Sequence, residues 1–422
     1  MPFRFVHTAD LHLDSPLRSL ALRNAELAAL VGDATRQALV RIVDLCIDEA
    51  VDALIIAGDL YDGEQTSMKT ARFLATQMER LHQASISVFK IRGNHDAMSK
   101  ITQELVLPPS VKIFSGRAEI VEARHGDLTV AIQGLSFARP QAPESLLPKY
   151  KPPVAGAANI GIMHTSLAGA PGHDPYAPCT VAELHASGFD YWALGHIHQR
   201  THHAGERTII MPGMPQGRDI NEAGEKSVSL VTIHDDRTVE VEERLTSIAQ
   251  FARISVDISQ AEDWRALANL IGVALERERD RTRSDHLVAR LTLTGASPLA
   301  WRMRRDADLL RTEAEQRGQR TGNVWIEKLE LAVSAAEAAT AAPGADPVVE
   351  LGQLMRRDVM RTSAYREQVR ALVEELLDDL PPESRRFAGD DAEELERFLD
   401  DVISDGGEEL VARLSAKDQG ES

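Results

Sequence analysis

Apolar and polar positions alternate with two different periods along this chain, and the switches between them outline its architecture. Phe3 to Ala9 and the unbroken apolar run Ala53-Leu54-Ile55-Ile56-Ala57 read as strands, the second covered on both faces, and Val88 to Ile91 as a third. Between them, Asn24 to Glu49 and Ser67 to Leu81 repeat apolar residues at helical spacing. Leu128 to Leu135, Asn159 to Met163, Tyr191 to Leu194, Thr208 to Met211 and Val228 to Ile233 add further strands. Strands alternating with helices over residues 1 to about 245 predict an α/β fold on a large, mixed sheet system.

The pattern then restarts. Phe251 to Ile258, His286 to Leu293 and Val324 to Val333 read as strands, with helices over Trp264 to Glu278 and Leu299 to Gln316 between them. This β-α-β-α-β order predicts a small α+β module over residues 250–334. Ala335 to Pro347, rich in Ala, Pro and Gly, reads as a linker. Beyond it, over 348–422, Leu351 to Leu380 and Glu393 to Leu414 are two helical segments separated by Pro381-Pro382 and Gly389. Leu372, Val373, Leu376, Leu377 and Leu380 form an apolar stripe there that needs a cover, supplied either by the preceding module or by another chain.

Composition narrows the class. With 422 residues and 43% hydrophobic side chains, several packed units are expected and wholesale disorder is excluded. The two cysteines, Cys46 and Cys179, provide neither a disulfide framework nor a thiolate zinc site. The opening Met1-Pro2-Phe3-Arg4-Phe5 lacks the regions of a signal peptide, and no apolar run reaches the ~20 residues that span a bilayer, so a cytoplasmic protein with no membrane partner is expected. A net charge of −18 argues at first against nucleic acid. The distribution answers this: Ala345 to Ser422 holds 10 basic against 21 acidic residues, while Glu276 to Lys328 holds 12 basic against 9 acidic. Arg302, Arg304 and Arg305 cluster there as candidate contacts to DNA phosphate, or alternatively as an ion-paired helix face.

The chemistry collects at strand ends. The first strand is followed by Asp10-Leu11-His12, the second by Gly58-Asp59-Leu60-Tyr61-Asp62, and the third by Gly93-Asn94-His95-Asp96. Later strands end in His164 and in Gly195-His196-Ile197-His198. Ligands gather at the carboxyl ends of strands in open α/β sheets, so these groups can converge. In Asp10-x-His12 and His196-x-His198 the paired side chains lie two residues apart, hence on one side of an extended chain. Gly58 and Gly93 allow sharp turns into a crowded centre. Each fragment alone is common in surface turns. Five in order, each at a strand end, are not. Imidazole, carboxylate and amide oxygen together suit manganese, iron or zinc, and seven such donors suit two ions sharing a bridging carboxylate.

This ordered set, D-x-H, G-D-x-x-D, G-N-H-D, H and G-H-x-H, resembles the calcineurin-like metallophosphoesterase superfamily over about residues 3 to 235. The resemblance implies a two-sheet sandwich flanked by helices over 1–245 and a two-metal centre, most simply with Mn2+. One ion would be held by Asp10, His12, Asp59 and His198, the other by Asp59, Asn94, His164 and His196, with Asp59 bridging. His95 would protonate the leaving oxygen, as suits an imidazole near neutral pKa, and Asp96 would orient it. Within the superfamily, His7-Thr8-Ala9-Asp10-Leu11-His12-Leu13-Asp14 is similar to DNA repair exonucleases of the SbcD and YhaO type. So is Pro212-Gly213-Met214-Pro215-Gln216-Gly217-Arg218 with Asn221-Glu222. That resemblance implies a capping domain after the nuclease domain, then helices that dock on a coiled-coil, SMC-like ATPase, and it leaves room for a homodimer. Two alternatives stand beside a DNA nuclease: a phosphoesterase for a small diester or monoester, and a DNA-end-binding adaptor for the ATPase. His173, His185, His202, His203 and His234 match no motif and read as surface or supporting residues, and Tyr191 and Trp192 as core.

Overall fold

The computed structural model describes residues 1–15, 25–61, 67–97, 106–139, 141–167, 176–335, 347–380, 387–389 and 391–417. Asp62, His173 and most of the expected linker lie outside the described residues. The chain divides into two compact units. One comprises Met1–Arg253, Arg279–Arg290 and Asn323–Glu327, the other Ile254–Glu278, Leu291–Gly322 and Lys328–Ser422.

The first unit is a sandwich of two six-stranded sheets. One contains β1 (Phe3–Thr8), β2 (Ala53–Ala57), β3 (Ser87–Ile91), β4 (Val111–Ile113), β11 (Ser227–Ile233) and β12 (Val239–Leu245), in the order β12-β11-β1-β2-β3-β4. The other contains β5 (Glu119–His125), β6 (Leu128–Gly134), β7 (Ala158–His164), β8 (Tyr191–Gly195), β9 (Thr201–His203) and β10 (Thr208–Met211), in the order β5-β6-β7-β8-β10-β9. Strand β1 runs parallel to β2, with His7 opposite Ile55, and antiparallel to β11, with Phe3 opposite Ile233.

Alternation along each strand decides what lies between the layers. Phe5, Ala53, Ile55 and Ala57 point to the other sheet and meet Ile132, Ile160, Ile162, Tyr191 and Ala193. Their neighbours Val6, Leu54 and Ile56 point the other way. They pack on Leu39, Ile42 and Val43 of α1 (Ala25–Asp48) and Leu74, Met78 and Leu81 of α2 (Met68–Gln83). Both faces of β2 are thus covered, which is why it carries no polar residue. Full burial of each such large side chain is worth roughly 1.5–3 kcal/mol. The outer face of the second sheet is closed by Trp192, Leu194, Ile209 and Met211 with Leu184 of α3 (Val181–Ala186). The Trp192 indole N–H donates to Leu184 O at 3.2 Å.

A third sheet has the order β13-β14-β15, formed by Ala249–Asp257, His286–Ser297 and Val324–Ala335. Within the first unit, Phe251 and Val288 of this sheet pack with Leu27, Val31 and Ile220. In the second unit, Ile254, Val256 and Ile258 are buried and alternate with exposed polar positions, as the sequence pattern requires. Leu267, Ile271 and Leu275 of α4 (Trp264–Arg281) are buried as well. The helix expected over Leu299–Gln316 is two, α5 (Ala300–Arg305) and α6 (Ala307–Thr321), parted at Asp306, whose carboxylate accepts from Arg305 at 2.9 Å. The segment Leu351–Leu380 is likewise broken. It comprises α7 (Pro347–Leu354), a π-helical turn over Met355–Val359, and α8 (Ser363–Asp379), which Thr362 caps.

The last helix, α9 (Ala392–Lys417), lies along α5, α7 and α8. A Cβ on Gly352 would come within 3.2 Å of Trp301 and 3.1 Å of Val411, and Arg304 reaches Asp405 at 3.3 Å. Arg366 of α8 pairs with Glu396 at 2.7 Å. The apolar stripe on α8 is split between two faces: Val373 is buried, whereas Leu372 and Leu376 are 66% and 51% exposed.

Candidate metal centre

The seven donors gather where β1, β2, β3, β7 and β8 end. The backbone does not reach them by staying extended, as the two-residue spacing had suggested. Asp10, His12 and Asp59 sit at φ 53°, 43° and 49°, and His196 at 106°. Left-handed backbone is uncommon outside glycine, and each such residue costs of order 1–3 kcal/mol. It is held by hydrogen bonds beyond the strand ends: Asp10, His12 and Leu13 N–H donate to Gly58, Asp59 and Leu60 O at 3.1, 3.1 and 3.0 Å. The two ligand-bearing loops are therefore laced together before either side chain is considered.

Glycine is required by closeness. A Cβ on Gly58, itself at φ 99°, would stand 2.5 Å from His164 Nδ1; one on Gly93 would stand 2.7 Å from His164 Cε1 and closer still to Asp59 Oδ1. Around these glycines the donors form two trios, Asp10 with His12 and His198, and Asp59 with His164 and His196, the ligand atoms within each trio lying within 4.8 Å of one another. Asn94 Oδ1 joins the second trio, 2.9 Å from His164 Nε2, which is 3.2 Å from Asp59 Oδ2. In the first, His12 and His198 face each other, Nε2 to Nε2, at 3.2 Å.

The tautomers follow from the partners. His164 Nδ1 is 2.9 Å from Ala57 O, which only accepts, so Nδ1 carries the hydrogen and Nε2 faces the trio. His198 Nδ1 is 2.9 Å from the Glu222 carboxylate, with the same consequence. The Asp10 carboxylate accepts from His196 N–H at 3.0 and 3.1 Å, tying the ends of β1 and β8 together.

Burial pushes the Asp10 carboxyl up, against the pull of His164 and His198. It acts the same way on Asp59, but the charge and hydrogen bond of His164 outweigh it and hold Asp59 below the usual carboxylate range. Burial would lower His164, yet Asp59 beside it raises this imidazole to about 9. A pocket negative enough to keep a proton on a buried ring meets the electrostatic condition for cations. Two trios of mixed imidazole and carboxylate donors fit two divalent ions of intermediate softness.

His95 is exposed, its ring 5.1 Å from that of His12, and its backbone N–H donates to Asp59 Oδ1 at 3.0 Å. Asp96 is fully buried. Its carboxylate accepts from Gly93 N–H at 2.7 Å and Leu60 N–H at 3.4 Å and pairs with Lys90 at 3.2 Å. These contacts fix the turn on which His95 stands. Of the three clustered arginines, Arg302 lies 4.8 Å over the Trp264 ring, Arg304 is held by Val333 O and Asp405, and Arg305 pairs with Asp306 at 2.9 Å. They belong to the second unit, and the seven donors to the first.

Three supports were given no role by the sequence pattern, although His7, Arg218 and Glu222 stand within its motifs. Lys90 shows as the one cation in an otherwise apolar strand, Ser87-Val88-Phe89-Lys90-Ile91. Arg218 and Glu222 are opposite charges four residues apart, soon after His198. Burial raises the Glu222 carboxyl, but hydrogen bonds from His198 and Arg218 outweigh it and hold the group well below its ordinary range. His7, buried, gives Nε2–H to Leu194 O at 3.1 Å and accepts from Tyr191 Oη at 2.9 Å.

Comparison with known proteins identifies the family. The profile of the calcineurin-like phosphoesterases matches residues 3–200, and that of the middle domain of metallophosphoesterase YhaO matches residues 251–334. An uncharacterized metallophosphoesterase of Bacillus subtilis, YhaO, is 33% identical over 297 residues, 70% of this chain and 72% of its own. The DNA double-strand break repair protein Mre11 of Methanocaldococcus jannaschii is 26% identical over 205 residues, 46% of this chain and 51% of its own. The SbcD component of the nuclease SbcCD of Escherichia coli is 25% identical over 318 residues, 65% of this chain and 77% of its own. Among the described residues no helix is long and apolar enough to cross a membrane. The chain belongs to the calcineurin-like metallophosphoesterases, a family of metal-dependent phosphoester hydrolases, and is similar within it to YhaO.

Proposed function

We propose that this chain is a manganese-dependent DNA nuclease that hydrolyses phosphodiester bonds during DNA repair, together with a coiled-coil ATPase. The observation that carries the reading is the pair of donor trios, buried except for the half-buried His198, with the exposed imidazole of His95 beside His12. The relatives named for DNA break repair and for SbcCD support the choice of polymer. When bound, two divalent ions supply a water of lowered pKa and neutralise charge gathering on the phosphoryl oxygens. Asp10, His12, Asp59 and His198 would hold one ion; Asp59, Asn94, His164 and His196 the other. The rest falls to the chain. Asp59 receives the His95 N–H and so sets the acid's position relative to the ligands. A ring nitrogen of His95 gives its proton to the departing 3′ oxygen, and Asp96 and Lys90 keep the turn beneath it rigid.

On this reading residues 1–245 are the nuclease domain, 250–334 a cap, and 348–422 the region that docks on the ATPase, with Leu372 and Leu376 as its exposed apolar side chains. A small phosphoester is the second reading. One observation favours it: Arg302, Arg304 and Arg305 are each engaged within the second unit. One assay series separates the two. Linear duplex, single-stranded DNA and a small chromogenic diester are compared with manganese, with and without the ATPase. Preference for DNA, enhanced by the ATPase, supports the nuclease. Efficient turnover of the small diester with DNA left intact would replace it.

A further inference from the structure

We infer that Glu222, held by Arg218, is a positioning residue that sets how tightly one ion site, that of Asp10, His12 and His198, holds its metal. The inference rests on the two-metal reading above. It starts from an asymmetry between the histidines of the two trios. His164 is aimed by a backbone carbonyl, Ala57 O, 2.9 Å from Nδ1. His198 is aimed by a side chain, Glu222 Oε1, also 2.9 Å from Nδ1. A carboxylate behind an imidazole fixes its tautomer, locks its rotation and makes the far nitrogen a better donor. Here the far nitrogen, Nε2, is the one that faces His12 at 3.2 Å.

Glu222 is itself immobilised. Arg218 Nη2 donates to Oε1 at 2.7 Å, Arg218 Nε to Oε2 at 3.3 Å, and the Arg218 backbone N–H to Oε2 at 2.8 Å. The turn between the two is tight, since a Cβ on Gly217 would stand 2.7 Å from Glu222 O. It is anchored by the buried amide of Gln216, which accepts from Ile248 N–H at 2.7 Å and donates to Ala249 O at 2.7 Å. Arg218 also reaches the other half of the site: Nη1 donates to Ser15 Oγ at 3.3 Å, on the segment that carries Asp10 and His12. One guanidinium thus links the carboxylate behind His198 to the stretch of chain that supplies Asp10 and His12. It also cancels the added charge of Glu222, so the contribution is orientation and donor strength rather than net attraction.

The test is manganese binding to the full chain, followed by calorimetry and by the electron-spin-resonance signal of a coupled ion pair. In Glu222→Ala one of two ions should bind about 10- to 100-fold more weakly and the other as in wild type, with loss of the coupled signal at limiting metal. Glu222→Gln, whose amide oxygen still accepts from Nδ1–H, should recover most of that loss. A Glu222→Ala/His12→Ala double variant should lose little beyond His12→Ala alone, because both act on the same ion. Melting of the metal-free proteins shows whether the variants fold. A folded Glu222→Ala that binds both ions at wild-type affinity overturns the inference. So does equal weakening of both ions in the Ala and Gln variants, which would mark a merely structural role. A wild-type chain that takes up fewer than two ions would instead remove the two-metal reading itself, before any substitution is made.

Discussion

Replacing Gly93 by alanine tests the centre without altering any ligand. The added methyl would stand 2.7 Å from His164 Cε1, 2.8 Å from His164 Nε2 and nearer still to Asp59 Oδ1. Carbon contacts are comfortable at about 3.5 Å, so the imidazole would have to withdraw by roughly 0.7–0.8 Å, or the turn would have to move as far. Metal–ligand distances tolerate only about ±0.2 Å, so the displacement exceeds what the second trio can absorb. Overpacking of this kind costs about 1–3 kcal/mol. If most of that falls on the ion-bound state, affinity for the ion held by Asp59, His164 and His196 drops about 5- to 150-fold. Calorimetric titration with manganese, paired with melting of the metal-free protein, measures both quantities. A Gly93→Ala protein that binds two ions as tightly as wild type would refute the geometry, since no other change could make room for the methyl.

Three further outcomes follow from the same site. Asp59→Asn should reduce manganese in purified protein from about two ions per chain to one or none, read by elemental analysis; retention of both would remove Asp59 from the bridge. His95→Ala should keep its ions and its fold while losing roughly two to four orders of magnitude in phosphodiester cleavage, and loss of metal would make His95 a ligand instead. Burial lowers the His7 imidazole to about 3 from an ordinary 6.5, so between these values the unfolded chain holds a proton that the folded chain does not. Stability should therefore rise with pH across that window, by up to about 1.4 kcal/mol per unit from this group, and fall away as pH drops below 6.5. Urea melts of wild type and His7→Gln across that range should differ by close to one proton; identical slopes would contradict the burial.

Much of the first unit was legible because its inner strands carry an unmixed message. Ala53-Leu54-Ile55-Ile56-Ala57 is apolar at every position since both faces are covered, and the pattern found it with correct ends. Four strands escaped the pattern, β4, β5, β9 and β12, and these are the outermost strands of the two large sheets. An outer strand such as Val239-Glu240-Val241-Glu242-Glu243-Arg244-Leu245 buries little, so its charges outweigh its alternation. Residues Leu299–Gln316 read as one helix because periodicity cannot see the backbone turn at Asp306. The ligand trios were legible from motif order, yet the reason given for their convergence was not the operative one. Spacing suggested extended chain, while positive φ at Asp10, His12 and Asp59 aims the side chains. Glu222 and Arg218 stayed without a role because an i,i+4 ion pair looks the same in sequence whether it sits in solvent or behind a histidine.

The pairing of β1 with both β2 and β11 has a consequence for how the protein is made. Phe3 meets Ile233 across the sheet, so β1, once made, cannot complete its hydrogen bonding until residues 227–233 have followed. At 5–20 residues per second that wait is on the order of 10–50 s. Throughout it, Phe3, Phe5 and Val6 are without part of their final cover, and Asp10 and His12 without His198. Synthesis must therefore carry an open, apolar strand edge through most of the first unit's translation, a period in which chaperone binding competes with misassembly.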